Sequence, residues 1–198
     1  DKPHFLATTP RGVHVRQTAL VRLRETLGLP ELAPVHRLDR LTAGVVVFTT
    51  QRVWRGPYAE LFRTRGVHKT YEALAPHDPS LSFPRTAVSR IEKPRGSLQA
   101  LLVEGEPNAE TLIELVEVRG RHARYRLIPR TGKTHQLRVQ LAGLGLPILG
   151  DPLYPDVLDV AGDDFSNPLQ LVARELSFTD PIDDIPRAFT SQLALAWP

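Results

Sequence analysis

Eighteen prolines are spread through the 198 residues of this chain. Because a proline lacks the amide hydrogen and fixes one backbone angle, it interrupts helices and central strands. The segments between the prolines are accordingly short. One of them, residues 18–27, places Leu20, Leu23 and Leu27 at helical spacing, and Gly28 with Pro30 ends it. The chain is therefore predicted to fold from short helices and strands joined by many turns.

Alternating and short apolar runs predict a set of strands. The predicted strands are 45–48, 67–75, 110–118, 123–127 and 170–178. A hairpin is expected at Arg119-Gly120. Further helices are predicted at 58–65, entered at Pro57, and at 134–144, where Thr134 is placed to cap the first turn. The fold class is α+β: one domain, 1–198, with a largely antiparallel, mixed β-sheet and flanking helices and loops.

Composition excludes several kinds of site. The chain has no cysteine, which excludes disulfides, thiolate nucleophiles and Cys-ligated zinc, and which fits a cytoplasmic protein. Its seven histidines show no metal-binding spacing, so no metal is expected. No apolar stretch approaches the roughly 18 residues of a membrane span. The Gly132-Lys133-Thr134 segment lacks the earlier glycine of a phosphate-binding loop, because position 127 is leucine.

The chain begins at Asp1-Lys2-Pro3 and contains no methionine. We therefore expect that upstream residues precede it in the natural protein.

Arginine dominates the basic residues. The net charge is +3, and 4 of the 25 basic residues are lysine, which leaves 25 − 4 = 21 arginines. Guanidinium groups match phosphate oxygens and stack on bases, which favours a nucleic-acid partner. The same bias is also explained by the base composition of a genome, so charge alone leaves both interpretations open.

The first chemical motif lies at 36–47, with the sequence HRLDRLTAGVVV. Asp39 stands in a polar turn before an apolar run, between Arg37 and Arg40. An isolated aspartate in a turn usually caps the turn. Two flanking arginines make the surroundings electropositive, which is unusual for a capping residue and indicates a functional carboxylate.

Two further segments carry less information individually. Residues 69–74, KTYEAL, place Tyr71 within a predicted strand, where a tyrosine most often packs against its neighbours. Residues 130–141, RTGKTHQLRVQL, describe a helix with basic residues at its start, and such a start is suited to bind an anion such as phosphate.

Together the three segments resemble, in order, the signature of the RluA-type pseudouridine synthases, within the RsuA/RluA family. The resemblance extends from Asp1-Lys2-Pro3 through Gly150-Asp151-Pro152 to residues 173–178, and thus spans nearly the whole chain. One departure is Ala43, where many members have serine. The resemblance implies the pseudouridine synthase fold and the isomerisation of uridine in RNA to pseudouridine, with no cofactor or metal.

Asp39 matches the family's catalytic aspartate. A carboxylate there is suited either to attack or stabilise a cationic C1′, as in retaining glycosidases, or to remove a sugar proton. The sequence leaves both routes open.

The resemblance also implies substrate contacts for four residues. Tyr71 matches the tyrosine that stacks on the target base, and Leu137 is expected on another side of the pocket. Arg138 matches the basic residue that pairs with the aspartate. A paired base must be flipped out before it reacts, and Arg37 matches the residue that takes its place; a phosphate contact is the alternative for Arg37.

The remaining basic residues near the motifs are candidates for contacts with the RNA backbone: Arg40, Lys69, Arg130 and Lys133. The expected partner is ribosomal or transfer RNA, bound by a monomer away from membranes. Some family members have an N-terminal S4-type RNA-binding domain, which here would precede residue 1.

Two other functions compete with this hypothesis. An RNA-binding module without catalysis would have lost Asp39, Tyr71 or Arg138, and all three are present. A metal-free hydrolase or nuclease using His36 and His135 as acid and base would cleave RNA rather than isomerise uridine.

Overall fold

The computed structural model describes residues 1–10 and 17–198. The chain divides into two compact units. Unit 1 comprises Asp1–Lys69 and Ala173–Leu193, and unit 2 comprises Thr70–Val172 and Ala194–Pro198. The prediction of a single domain over 1–198 stays a prediction.

The described residues form three α-helices and ten strands. The helices are α1 (Ala19–Leu27), α2 (Arg55–Arg63) and α3 (Gln136–Gly143). The strands are β1 (Ala33–Pro34), β2 (Ala43–Gly44), β3 (Phe48–Thr49), β4 (Val67–Pro76), β5 (Arg85–Glu92), β6 (Leu101–Val103), β7 (Ala109–Arg119), β8 (His122–Pro129), β9 (Leu171–Thr179) and β10 (Pro186–Thr190).

Helix α1 in unit 1 confirms the clearest local prediction. Thr18 precedes it in extended conformation, and its hydroxyl accepts a hydrogen bond from Val21 N at 3.2 Å. Gly28 ends the helix with φ +66°, a left-handed conformation that glycine adopts without steric cost. The cap residues at both ends thus set the length of the helix.

The second helix of unit 1 begins earlier than predicted. A short 3-10 helix at Arg52–Trp54 leads directly into α2, so Pro57 lies in the first turn rather than before it. Proline is tolerated there because the first amides of a helix have no partner within it. Tyr58 then donates a hydrogen bond to Asp180 at 2.8 Å.

The predicted strand 45–48 is wrong as a continuous element. Strand β2 ends at Gly44 and β3 begins at Phe48, with irregular chain between them. The physical reason lies in long-range contacts: Val45 N donates to Ala173 O at 3.1 Å, while Val47 N donates to the His36 ring at 3.2 Å. Val45 still packs in a core with Val67, Leu176 and Phe178.

Unit 2 contains an antiparallel sheet with the strand order β4-β8-β7-β5-β6. The predicted hairpin is confirmed, since β7 and β8 pair from Arg119↔His122 onward and Gly120 takes φ +57° in the turn. Ala123, Tyr125 and Leu127 are fully buried on one face of β8. The α+β class with a largely antiparallel sheet is thereby confirmed.

Helix α3 is shorter than the predicted 134–144, and Thr134 does not cap it. His135 occupies the cap position with φ +56° and makes no side-chain cap bond. Instead, the Gln136 amide oxygen accepts from Lys133 N at 3.0 Å and from the Thr131 hydroxyl at 2.8 Å. The glutamine side chain therefore fixes the loop that precedes the helix and does not replace the expected Thr134 cap.

Gly44 is the position where the backbone leaves no room for a side chain. Its φ is +114°, and a Cβ atom would lie 2.3 Å from the carbonyl oxygen of Ala173. The same residue exchanges two backbone hydrogen bonds with Lys2, each 2.9 Å long. Gly44 thus holds the end of the Asp39 turn against β9 and against the start of the chain.

Gly44→Ala is expected to lower the free energy of unfolding by about 3 kcal/mol or more, because strain and a backbone clash combine. Denaturant unfolding measures this loss. Gly28→Ala is the matched control: its φ is also positive, at +66°, but nothing lies within 4 Å of its Cβ position. We expect the control to lose only about 1 kcal/mol; equal losses in both variants would contradict the close-approach argument.

Candidate active site

Asp39 lies in a turn that is fixed by its neighbours. The Asp39 carbonyl accepts from Thr42 N at 3.2 Å. Leu38 is buried, and both its backbone groups bond the hydroxyl of Thr8, at 2.9 and 3.2 Å. Arg37 is exposed and Asp39 is partly buried. Thr8 therefore fixes the backbone of the turn at Leu38, while the Arg37 side chain is exposed to solvent.

Lys2 is the residue beside this turn that the sequence did not identify as functional. Its side chain is buried, at 4% exposure, and its ammonium donates to the carbonyls of Pro3, Leu6 and Arg40 at 2.9, 2.7 and 3.3 Å. Burial lowers the pKa of Lys2 to about 7, and the attraction of Asp39 opposes this shift. Only folding brings residue 2 close to Asp39, so no local pattern could have indicated it.

His36 has a structural environment. Its Nε2 accepts from Val47 N, and its ring stacks on Phe62 with centroids 4.9 Å apart. Burial lowers the pKa of His36 to about 4, with a smaller contribution from Lys69. A neutral imidazole whose Nε2 is already used is poorly suited to act as an acid near neutral pH, which disfavours the hydrolase hypothesis.

In unit 2, Tyr71 lies in β4 opposite Leu127 of β8 and is partly buried. Leu137 is buried in α3, at the first turn of the helix. The sheet thus holds the aromatic side chain of Tyr71, and the helix holds the aliphatic side chain of Leu137. Their contact with a base stays a prediction.

Arg138 has a carboxylate partner that the sequence did not reveal. Its Nε and Nη2 donate to the two oxygens of Asp151 at 2.7 and 2.6 Å. Both side chains are almost completely buried, at 2% and 0% exposure. Such a two-point pair fixes the guanidinium plane. Asp151 lies 13 residues along the chain and was noted only as part of the Gly150-Asp151-Pro152 resemblance.

Tyr154 supports the same guanidinium from its ring face. The Arg138 Cζ atom lies 5.3 Å from the ring centroid. The Tyr154 hydroxyl donates to Ala100 O at 3.0 Å, accepts from Ala100 N at 2.6 Å and lies 3.0 Å from His135 Nδ1. Because the hydroxyl has one proton and Ala100 O takes it, Nδ1 is assigned as the protonated nitrogen of His135.

The four candidates for RNA-backbone contacts differ in exposure. Arg130 and Lys133 are exposed, although Arg130 also pairs with Glu110 at 2.8 Å. Arg40 and Lys69 are partly buried, and burial lowers the pKa of Lys69. The exposed pair is therefore better placed for phosphate than the partly buried pair.

Within 1–10 and 17–198, no three His, Asp or Glu side chains form a group that could hold a metal ion. Over the same residues, no helix is both long and apolar enough to cross a membrane.

The fold and the motif residues together define an α+β protein with an antiparallel sheet and an aspartate in a fixed turn. A family model described as RNA pseudouridylate synthase matches residues 1–143. The chain belongs to the RNA pseudouridylate synthase family, and the resemblance drawn from the three motifs is confirmed.

Several relatives and one solved structure show how far the similarity extends. Human pseudouridylate synthase RPUSD2 is 33% identical over 168 residues, which cover 79% of this chain and 29% of that protein. An uncharacterized RNA pseudouridine synthase of Haemophilus influenzae is 35% identical over 128 residues, covering 65% and 57%. The chain thus spans less than two thirds of both proteins.

A longer match is the dual-specificity RNA pseudouridine synthase RluA of Vibrio cholerae, 31% identical over 189 residues, covering 91% of this chain and 73% of the relative. The structure of human RNA Pseudouridylate Synthase Domain Containing 4 superimposes with a TM-score of 0.71 at 29% identity, over 98% of this chain and 84% of that one. The predicted pseudouridine synthase fold is confirmed.

Lys2 allows a pH test. Below pH 7 its ammonium is charged in both states, whereas above pH 7 the folded protein releases a proton that the unfolded chain keeps up to its ordinary pKa of 10.5. Because the unfolded state then binds more protons, this contribution to stability rises with pH. The free energy of unfolding of the wild type minus that of Lys2→Met should therefore increase between about pH 7 and 10.

Urea unfolding at each pH gives this difference. Lys93→Met is the control, since Lys93 is exposed, and its difference should stay flat. A flat difference for Lys2 as well would mean that its three carbonyl partners keep the ammonium charged throughout.

Asp151→Asn is expected to lower the free energy of unfolding by about 3 kcal/mol, because it leaves a buried guanidinium without its carboxylate. Glu114→Gln is the control, removing the partner of Arg126 in a largely exposed pair with a 3.1 Å separation. The control should lose less than about 1 kcal/mol in the same denaturant titration. Similar losses for the two variants would show that the Arg138–Asp151 pair has no special weight.

Proposed function

We propose that this chain is an RNA pseudouridine synthase, an isomerase that converts specific uridines of ribosomal or transfer RNA to pseudouridine. The observation that carries the proposal is the family match over residues 1–143, which includes Asp39, Tyr71 and Arg138. The N1–C1′ bond breaks, the uracil turns, and C5 bonds to C1′; C5 then loses its proton and N1 gains one. The formula of the uridine and its oxidation state are unchanged, so no cofactor or metal is required.

Asp39 is the proposed catalytic carboxylate. A fixed turn presents it, with its backbone held by Thr42 and the neighbouring Leu38 held by Thr8. A negative charge at this place serves either of two routes: stabilising or attacking a cationic C1′, or accepting a sugar proton. Lys2 lies close enough to interact with Asp39 electrostatically.

Arg138 is proposed to orient Asp39 during the reaction. Asp151 and the Tyr154 ring already fix the guanidinium plane, so an oxygen atom that binds it meets donors with a set direction. The Arg138 guanidinium, already fixed in its plane, needs no rearrangement when charge develops in the reaction.

Tyr71 is proposed to stack on the flipped uracil, and Leu137 to contact it from another side. Base stacking on an aromatic ring is worth roughly 1–3 kcal/mol, which would retain the uracil after its bond to the sugar breaks. Arg37 is proposed to enter the space that the base leaves. Its exposure supports this role and equally supports the alternative of a phosphate contact.

Arg40, Lys69, Arg130 and Lys133 are proposed contacts to the RNA backbone, with the greater share falling on the exposed Arg130 and Lys133. The proposed setting is the cytoplasm, with a monomer acting on RNA. The relative from Vibrio cholerae is named a dual-specificity enzyme, which supports testing ribosomal and transfer RNA in parallel.

Asp39→Asn tests the proposal. The amide keeps the size of the side chain, so the turn should survive and RNA should still bind, while pseudouridine formation should be essentially lost. Arg138 keeps Asp151 as its partner, so the variant should remain folded. Asp184→Asn is the control, since Asp184 is an exposed carboxylate of the same unit, and it should retain full activity.

The measurement is carbodiimide-based mapping of pseudouridine in purified ribosomal and transfer RNA, with a binding titration and a thermal melt of each variant. A tenth or more of wild-type turnover in Asp39→Asn, at normal binding, would remove Asp39 from the mechanism. Shortened RNA on a denaturing gel would instead favour the nuclease hypothesis.

A further inference from the structure

Phe5 adopts a backbone conformation that a bulky side chain rarely takes. Its φ is +64°, in the left-handed region. Among the described non-glycine residues, the others with positive φ are Arg65, His135 and Asp184. Phe5 is therefore the one apolar residue of this group. Such strain persists only where the surroundings enforce it, and it points to a functional constraint.

The backbone strain itself has a structural cause. The turn that contains Phe5 wraps around the Lys2 ammonium, which binds the carbonyls of Pro3 and Leu6 on either side of it. The His4 ring is tied to Leu41 O at 2.8 Å. A left-handed residue at position 5 allows both carbonyls to face Lys2. Glycine would provide this conformation without strain, so the turn does not explain why the residue is phenylalanine.

The Phe5 ring lies beside the Asp39 turn. The Arg40 Cζ atom is 5.7 Å from its centroid, within the range of a cation–π contact. Arg40 directly follows Asp39, and its carbonyl is one of the acceptors of the Lys2 ammonium. Phe5 is partly exposed and is not part of the core that Val45, Val67, Leu176 and Phe178 form. The ring is therefore held next to the proposed catalytic residue rather than in that core.

We propose that Phe5 is a further substrate-binding residue, whose ring stacks on an unpaired nucleobase adjacent to the target uridine. Every base has a π-face, and an aromatic ring beside a guanidinium offers both stacking and positive charge. Arg40 fixes the ring and adds charge that attracts the nearby phosphates. This inference rests on the proposed function, because it takes RNA as the substrate.

Phe5→Gly separates the structural role from the RNA contact. Glycine relieves the strain but removes the ring that contacts Arg40, so a thermal melt establishes that the variant is folded. Loss of the stacked base should raise KM for RNA by about tenfold, with kcat at saturating RNA nearly unchanged, since Asp39 is untouched. Arg65→Gly is the matched control: Arg65 is exposed and has φ +60° in the same unit, and its KM should not change.

Two further variants keep the test decisive if Phe5→Gly folds poorly. Phe5→Tyr retains an aromatic ring and Phe5→Leu retains apolar packing, and both keep the side chain in the strained backbone. Tyr should preserve KM, whereas Leu should raise it. Equal KM values for the two variants would overturn the inference, because packing alone would then explain the residue.

The substrate for these measurements is a synthetic stem-loop that contains the uridine modified most strongly by the wild type in mapped ribosomal or transfer RNA. An abasic nucleotide beside that uridine should raise the wild-type KM and leave the Phe5→Gly value unchanged. Wild-type turnover with no effect of Phe5→Gly or of the abasic site overturns the role of Phe5 alone. No pseudouridine with the wild type overturns the proposed function, and this inference with it.

Discussion

A cation removed from water must be surrounded by oxygen atoms, because the desolvation cost is otherwise several kcal/mol. This constraint shapes each unit of the chain around one buried positive charge. In unit 1 the Lys2 ammonium gathers backbone carbonyls from residues 3, 6 and 40, and so ties the start of the chain to the Asp39 turn. In unit 2 the Arg138 guanidinium gathers the Asp151 carboxylate and the Tyr154 ring, and so ties α3 to the segment that follows it. The two cations are stabilised differently. Neutral carbonyls surround the Lys2 ammonium, so burial lowers its pKa, whereas the negative charge of Asp151 neutralises the Arg138 guanidinium.

Strained or crowded backbone occurs next to these charges. Gly44, with φ +114°, exchanges hydrogen bonds with Lys2, and Phe5 lies in the turn around the ammonium. His135, with φ +56°, begins the helix that contains Arg138, and its ring is 3.0 Å from the Tyr154 hydroxyl. Strain is retained only where the surrounding contacts enforce it. Phe5 and His135 lie near the two buried cations, whereas the other described non-glycine residues with positive φ, Arg65 and Asp184, lie elsewhere in the chain.

Local signals predicted local structure well. The end of α1 at Gly28 and the hairpin turn at Gly120 depend on residues within a few positions of each other, and the structure has both. The errors have different causes. Thr134 does not cap α3 because the helix begins after His135, and the strand 45–48 is divided because Val45 bonds the distant Ala173. The motif residues were found by resemblance, whereas the Asp151 partner and the Lys2 environment were missed, since burial and pairing across the fold leave no periodic trace in the sequence.

Asp151 and Asp39 illustrate how a structural carboxylate differs from one that is proposed to be catalytic. Asp151 has no exposed side-chain surface, and both its oxygens are used by Arg138, with one of them also accepting from Leu153 N. An oxygen so occupied is poorly suited to attack a sugar or accept a proton, because either step would break a buried ion pair. Asp39 is partly exposed and lies in a turn whose backbone is held by Thr8, Thr42 and Gly44. The proposed division of roles gives the structural pairing with Arg138 to Asp151 and the chemistry to Asp39.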